Sequence, residues 1–222
     1  MIDVAVIVEP RMHKYLKPVI DNALRNLDNN TTIHIFHGNV NKDFLQKNYN
    51  NEISRNKILL TNLNINNMTV REYSNMLTTV LFWEQIYGEN ILIFQTDSCI
   101  CTHVNDFNLS QYDQYGFVGA PCKKFPSTWM NGGFSLRKRS LMIKAISSKT
   151  QHESTWPEDK FFSLIKKHIT MPSAYENALN FSVEKYYSAK PFGIHKTWEY
   201  LEKKDWVQLK LNCPEITRVF DL

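Results

Sequence analysis

Two stretches of this 222-residue chain are apolar without alternation, Val4-Ala5-Val6-Ile7-Val8 and Ile91-Leu92-Ile93-Phe94. A strand with one wet face alternates apolar and polar residues, so an unbroken run rich in β-branched side chains belongs in a sheet covered on both faces. Helices must do the covering, and the intervening segments supply them. Leu16, Val19, Ile20, Ala23, Leu24 and Leu27 recur at three- and four-residue spacing and predict a helix that stops at Asp28-Asn29-Asn30. Thr32 to Phe36 reads as the next strand, Lys42 to Asn51 as helix and Ile58-Leu59-Leu60 as a third short strand. Thr69-Val70-Arg71-Glu72 has the pattern of a capping box, opening a helix that runs to about Tyr87, where Gly88 supplies a left-handed stop. Strands alternating with helices predict an α/β fold.

Composition removes several function classes. With 43% hydrophobic residues the chain is neither disordered nor fibrous. The net charge of +4 is spread along the chain, and Arg137-Lys138-Arg139 and Lys203-Lys204 are short and lack interleaved aromatics, so nucleic acid is not expected as a partner. No apolar run reaches the roughly 18 to 20 residues that span a bilayer, and Met1-Ile2-Asp3-Val4 leads directly into a strand rather than a signal sequence, which predicts a cytosolic protein. Cys99, Cys101, Cys122 and Cys213 are too few and too unevenly placed for a disulfide framework, and Cys99-Ile100-Cys101 lacks the gap of a zinc knuckle. Free, mostly buried thiols are expected. No linker or repeat divides the chain, so residues 1–222 are read as one domain.

Several residues could carry chemistry. Ligands of open α/β sheets bind at the carboxyl ends of strands, and the second apolar strand runs into Gln95-Thr96-Asp97. An acid there either caps a turn or holds a divalent ion. Asn131-Gly132-Gly133-Phe134 demands close backbone approach, as a wall for a ligand or as a tight bend. Trp156-Pro157-Glu158-Asp159 opens a helix with two acids in its first turn, where the helix dipole already favours them, and a positioned Asp159 would also suit a general base. His195, behind Gly193 and beside Lys196, is either a packed histidine or a partner of Asp97 in a metal site. Glu9 and Arg11 end the first strand, with Arg71 and Tyr73 on the capped helix able to reach the same place.

The succession VAVIVEPR, TVREYSNML, LIFQTDSCIC, GAP, NGGFSLRKRS, PEDKFF, FSVE and PFGIHK resembles the GT-A superfamily of glycosyltransferases, in detail a poorly characterised glycosyltransferase-like family, over nearly the whole chain. The resemblance implies a mixed sheet flanked by helices, with residues 1–110 as a nucleotide-binding half and residues 111–222 as an acceptor and catalytic half. It implies that Val8, Glu9, Arg11, Arg71 and Tyr73 border the nucleotide, and that Asp97 and His195 ligate Mn²⁺ or Mg²⁺. Gln95 and Thr96 would lie beside the donor, Asn131, Gly132 and Gly133 would form the wall for donor sugar and acceptor, Asp159 would be the base and Glu158 would bind sugar. One departure stands out: Gln95 occupies the place of the first acid of Asp-x-Asp. Its uncharged amide weakens the metal site, bonds the ribose instead, or removes metal dependence.

The reading that follows is transfer of a sugar from a nucleotide diphosphate sugar, a UDP-sugar first, to a hydroxyl of a glycan, glycoprotein or small molecule. Inversion is expected, with Asp159 taking the acceptor proton. Two rivals remain: a non-catalytic nucleotide- or carbohydrate-binding module, favoured by Gln95, and a nucleotidyltransferase, disfavoured because Glu9-Pro10-Arg11-Met12-His13 contains no glycine.

Overall fold

The structure, a computed structural model, describes residues 2–122, 129–165, 167–173 and 175–221. Its first half runs β1 (Val4–Glu9), α1 (Leu16–Asn26), β2 (Thr32–His37), α2 (Lys42–Asn48), α3 (Asn50–Ser54), β3 (Ile58–Asn62), α4 (Val70–Leu77), α5 (Val80–Glu84), β4 (Asn90–Phe94) and β5 (Ser98–Ile100). The second half runs β6 (Phe117–Pro121), β7 (Met130–Lys138), α6 (Arg139–Ser147), α7 (Glu158–Leu164), α8 (Tyr175–Phe181), β8 (Ser182–Val183), β9 (Gly193–His195), α9 (Lys203–Asn212) and α10 (Glu215–Val219).

Six strands form one sheet in the order β3-β2-β1-β4-β7-β6. The first four are mutually parallel, whereas β7 runs antiparallel to both β4 and β6. The apolar runs explain the central position of β1 and β4. Ala5 and Ile7 pack into a cluster on one face, with Ile33, Ile35, Leu92 and Phe94, while Val4 and Val6 pack on the other with Phe36, Ile91, Ile93 and Trp83. Both faces are dry, so alternation in sequence disappears. A small second sheet, ordered β5-β9-β8, joins the strand that follows β4 to two strands from late in the chain.

The expected single helix from Thr69 to about Tyr87 is two helices. Thr69 and Glu72 form the capping box at its start, and Gly88 takes the left-handed conformation at φ 87°. Between them, Trp83 is fully buried and its indole N–H donates to Leu77 O at 2.7 Å, which ends α4 at a carbonyl that a continuous helix would have used. The second apolar strand ends at Phe94, where Ser98 folds the chain back on Gln95.

The cysteine expectation is corrected in half. Cys99 and Cys122 are free and buried, but Cys101 and Cys213 form a disulfide across 112 residues of sequence. Cys101 directly follows β5 and Cys213 joins α9 to α10, so the pairing is made by tertiary packing that no spacing rule encodes. The same junction is held by Asn22, which bonds the backbone N and O of Ile100 and also the Glu215 carboxylate. Among the described residues no helix is long and apolar enough to cross a membrane.

Candidate functional site

A cavity of about 310 Å³ opens at the carboxyl ends of β1 and β4, within the range of small-molecule sites. Four pieces of chain line it: Val8 to Arg11 after β1, then Met68, Thr69, Val70 and Tyr73 around the start of α4, then Gln95 to Asp97 after β4, and finally His195-Lys196. Parallel strands deliver the first and third pieces to the same edge, which is why residues nearly ninety positions apart meet.

Glu9 is buried and serves Arg11. Its Oε1 accepts from Arg11 Nε at 2.8 Å and from the Arg11 backbone N–H at 2.9 Å, while Oε2 accepts from Nη2 at 2.7 Å. The pair fixes a half-exposed guanidinium on the cavity wall. Tyr73 lines the cavity with a buried hydroxyl that makes no hydrogen bond, and burial pushes its pKa up. Arg71, expected at the nucleotide, is exposed on α4 and does not line the cavity.

The turn after β4 is closed in both directions by Ser98, whose Oγ donates to Gln95 O at 2.7 Å and accepts from Gln95 N at 2.9 Å. Ser98 then pairs with His195 in the antiparallel β5–β9 ladder, and Lys196 N–H donates to Asp97 O at 2.8 Å. This register sets Asp97 beside His195. His195 Nε2 stands 3.2 Å from Asp97 Oδ1 and 3.3 Å from Gln95 Oε1, and its Nδ1 stands 3.3 Å from Glu184 Oε1. Burial alone would lower the imidazole pKa, but contacts with Asp97 and Glu184 outweigh it and raise it to about 9. Burial would likewise raise Asp97, and the His195 contact outweighs it and holds that carboxyl below its ordinary value. Lys196 takes the left-handed conformation at φ 52°, a strained geometry for a lysine, with its ammonium 3.1 Å from Glu199.

Among the described residues no three His, Cys, Asp or Glu side chains converge as a metal cluster. The set Gln95, Asp97 and His195 nevertheless fits a divalent ion. Asp97 Oδ1 is a buried oxygen without an aligned hydrogen-bond partner, and gaps of 3.2 and 3.3 Å match the edge of about 3 Å between adjacent ligands of a small octahedral ion. One carboxylate, one imidazole and one amide oxygen are ligands that Mn²⁺ or Mg²⁺ accepts.

A second group lies behind His195 and does not line the cavity. Asn131 Oδ1 accepts from Gly133 N at 2.7 Å, and its Nδ2 donates to Glu184 Oε1 at 3.0 Å. The two glycines admit side chains rather than leaving open wall: a Cβ on Gly133 would fall 2.2 Å from His195 Nε2, and one on Gly132 would fall 2.1 Å from Glu158 Oε1. Glu158 itself is held by Arg137 through two hydrogen bonds, Nη1 to Oε2 at 2.6 Å and Nη2 to Oε1 at 3.1 Å. Arg137 is fully buried, with its guanidinium over the Phe117 and Phe162 rings at 4.7 and 5.4 Å. Among the described residues no cation is paired with Asp159. Burial, then the neighbouring Glu158 charge, pushes its carboxyl up to about 6.

Three of these residues escaped the sequence reading as site members. Glu184 had one signal, an acid directly after the strand-like Phe181-Ser182-Val183, and Lys196 had its adjacency to His195. Arg137 sits in a basic triplet whose neighbours Lys138 and Arg139 are only half-buried, so nothing local marks it as buried.

No curated protein matches this chain. Solved structures with the same fold include the glycosyltransferase GlyE of Streptococcus pneumoniae, with a TM-score of 0.59 at 12% identity over 99% of this chain and 60% of that one. The galactosyltransferase LgtC, in complex with donor and acceptor sugar analogs, matches with a TM-score of 0.58 at 9% identity, over 99% of this chain and 97% of its own. The mannosyltransferase PcManGT from Pyrobaculum calidifontis, in complex with GDP-Man and Mn²⁺, gives 0.52 at 12% identity, over 78% and 54%. The chain spans about 60% of the length of the GlyE structures. These likenesses establish the fold, a mixed sheet flanked by helices as in GT-A glycosyltransferases. A family model described as "Protein of unknown function (DUF5672)" covers residues 57–195, from β3 through Asp97 to His195 and more than half of the chain, and the chain therefore belongs to that family.

Proposed function

We propose that this protein transfers a sugar from a nucleotide diphosphate sugar to an acceptor hydroxyl. The observation that carries the reading is the convergence of Gln95, Asp97 and His195 on one wall of a strand-end cavity that also carries the Arg11 and Lys196 side chains, in a fold shared with glycosyltransferases. A bound divalent ion would be held by Asp97, His195 and the Gln95 amide oxygen and would neutralise charge on the diphosphate.

The chain's own residues do the rest. Arg11, fixed by Glu9, and Lys196 supply cations to phosphate oxygens, which favours departure of the diphosphate. Val8, Thr69, Val70 and Tyr73 form the part of the cavity suited to base and ribose. Asp159 does not line the cavity, so as the base of an inverting transfer it would act on an acceptor hydroxyl bound beside it; with a pKa near 6 it is ionised at neutral pH and still basic enough to take that proton. Glu158 serves this step by sitting beside Asp159 while Arg137 holds it, and Asn131 serves it by tying β7 to Glu184. The donor is a UDP-sugar in the first instance, and the acceptor a glycan, glycoprotein or small molecule.

Gln95 favours one second reading, a binding module that keeps the cavity without turnover. Thermal unfolding against UDP-, GDP- and TDP-sugars, with and without Mn²⁺, separates these. Ligand at a hundredfold excess over its Kd stabilises by about 2.7 kcal/mol. A Mn²⁺-dependent shift lost in Asp97→Ala, together with release of nucleoside diphosphate, supports the transferase; a shift without release supports the module; no shift with any nucleotide overturns both.

A further inference from the structure

Glu184 is a carboxylate inside the protein, 3% exposed, with no Lys or Arg paired to it among the described residues. A buried charge of this kind is costly unless something uses it. Its position follows from strand register. Strand β8 runs parallel to β9 with Ser182 opposite Gly193 and Val183 opposite Ile194, so the next step of each strand brings Glu184 to His195. Oε1 then stands 3.3 Å from His195 Nδ1 and accepts from Asn131 Nδ2 at 3.0 Å, while Oε2 makes no hydrogen bond.

The His195 ring is thereby addressed at both nitrogens. Glu184 meets Nδ1 on the inner side, and Nε2 faces Gln95 and Asp97 at the cavity. The ring has little freedom, because its Nε2 edge fills the space where Gly133 lacks a Cβ. The hydrogen bond made by one ring nitrogen selects which nitrogen can bind a cation.

We propose that Glu184 is a positioning residue: by accepting the Nδ1–H of His195 it presents Nε2 to a divalent cation between Asp97 and Gln95, and through Asn131 it locks the Gly132-Gly133 backbone to the same ring. The inference rests on the reading of that trio as a cation site. Its consequence is that cation affinity depends on a residue that touches neither cation nor nucleotide.

The test is Mn²⁺ binding to the full chain, followed by the electron paramagnetic resonance signal of free Mn²⁺, for wild type, Glu184→Gln, Glu184→Ala, Asn131→Ala and His195→Ala. Each is paired with a thermal melt to establish folding. Glu184→Ala is expected to weaken Mn²⁺ binding about 10- to 100-fold, the usual cost of losing such a partner. Glu184→Gln removes the charge but keeps an acceptor oxygen for Nδ1–H, and should stay within a few-fold of wild type. Loss in Gln equal to that in Ala would assign the effect to charge and overturn the positioning role, as would wild-type affinity in folded Glu184→Ala. Should Glu184→Ala not fold, the comparison of Gln with Asn131→Ala decides: wild-type Mn²⁺ affinity in folded Asn131→Ala overturns the lock through Asn131. If His195→Ala itself binds Mn²⁺ as wild type does, the cation site is wrong and the role of Glu184 falls with it.

Discussion

Arg137 and Glu158 face each other across two hydrogen bonds, 2.6 and 3.1 Å, with the arginine fully buried and the glutamate nearly so. The pair lies directly against Gly132, whose carbonyl accepts a further bond from Arg137 Nη2 at 3.2 Å. It therefore joins β7 to the first turn of α7, the turn that carries Asp159.

Breaking that pair from one side leaves a charge stranded among Phe117, Phe162 and Trp83. Glu158→Ala should cost about 3 to 5 kcal/mol in urea unfolding. Removing both charges, in Glu158→Gln with Arg137→Met, should recover part of that loss. A single-variant loss below about 1 kcal/mol would show that the pair does not brace the fold.

Asp159 sets a pH dependence. Its folded pKa, about 6, lies above the unfolded value, so its protonated form favours the native state: that contribution is complete below the unfolded value and is lost as pH rises through about 6. Asp159→Asn should therefore be more stable than wild type at pH 8, by on the order of 2 kcal/mol, with the advantage vanishing toward pH 4. As the base it should also give kcat/KM an acidic limb near pH 6, and the Asn variant should bind donor without turning it over. A pH-independent rate between 5 and 7 would remove Asp159 from the proton transfer.

Gly133→Ala sets a Cβ 2.2 Å from His195 Nε2, and no small shift of the ring keeps both the Asp97 and the Glu184 contacts. Overpacking of about 1 to 3 kcal/mol is expected, together with loss of any Mn²⁺-dependent thermal shift. Gly116→Ala is the control, since its Cβ would press on the far end of Leu141 at 2.8 Å and otherwise meet Ile169 at ordinary contact distance, and it should leave that shift intact. Equal behaviour of the two variants would detach Gly133 from the site.

The Cys101–Cys213 bond predicts two titratable thiols in the denatured, unreduced protein, from Cys99 and Cys122. Closing a loop of this length stabilises by about 2 to 4 kcal/mol, so Cys101→Ser and Cys213→Ser should each lower Tm by roughly 5 to 15 °C. Four thiols without reductant would show that the bond does not form.

Much of the frame of the first half of the chain was legible in the residues. The Thr69 to Glu72 cap and the Gly88 stop depend on contacts within a few positions, and β1 and β4 declare themselves because both faces of each are dry. Asp97 and His195 were visible as candidate partners, while Glu184 behind them was not. Where the structure departs from these expectations, a contact outside helix periodicity intervened. Trp83 broke the helix after Leu77, and the chain's end returned Cys213 to Cys101.

Local sequence thus sets which segments become strands and helices and which acids stand at their ends, since hydrophobic period and capping act within one or two turns. Partnership belongs to the folded chain. Glu9 serves Arg11, Glu158 serves Arg137 and Glu184 serves His195. A carboxylate's role is set by burial and by the cation or imidazole within about 3 Å of it, and except for the Glu9–Arg11 pair those neighbours arrive from strands and helices far along the chain.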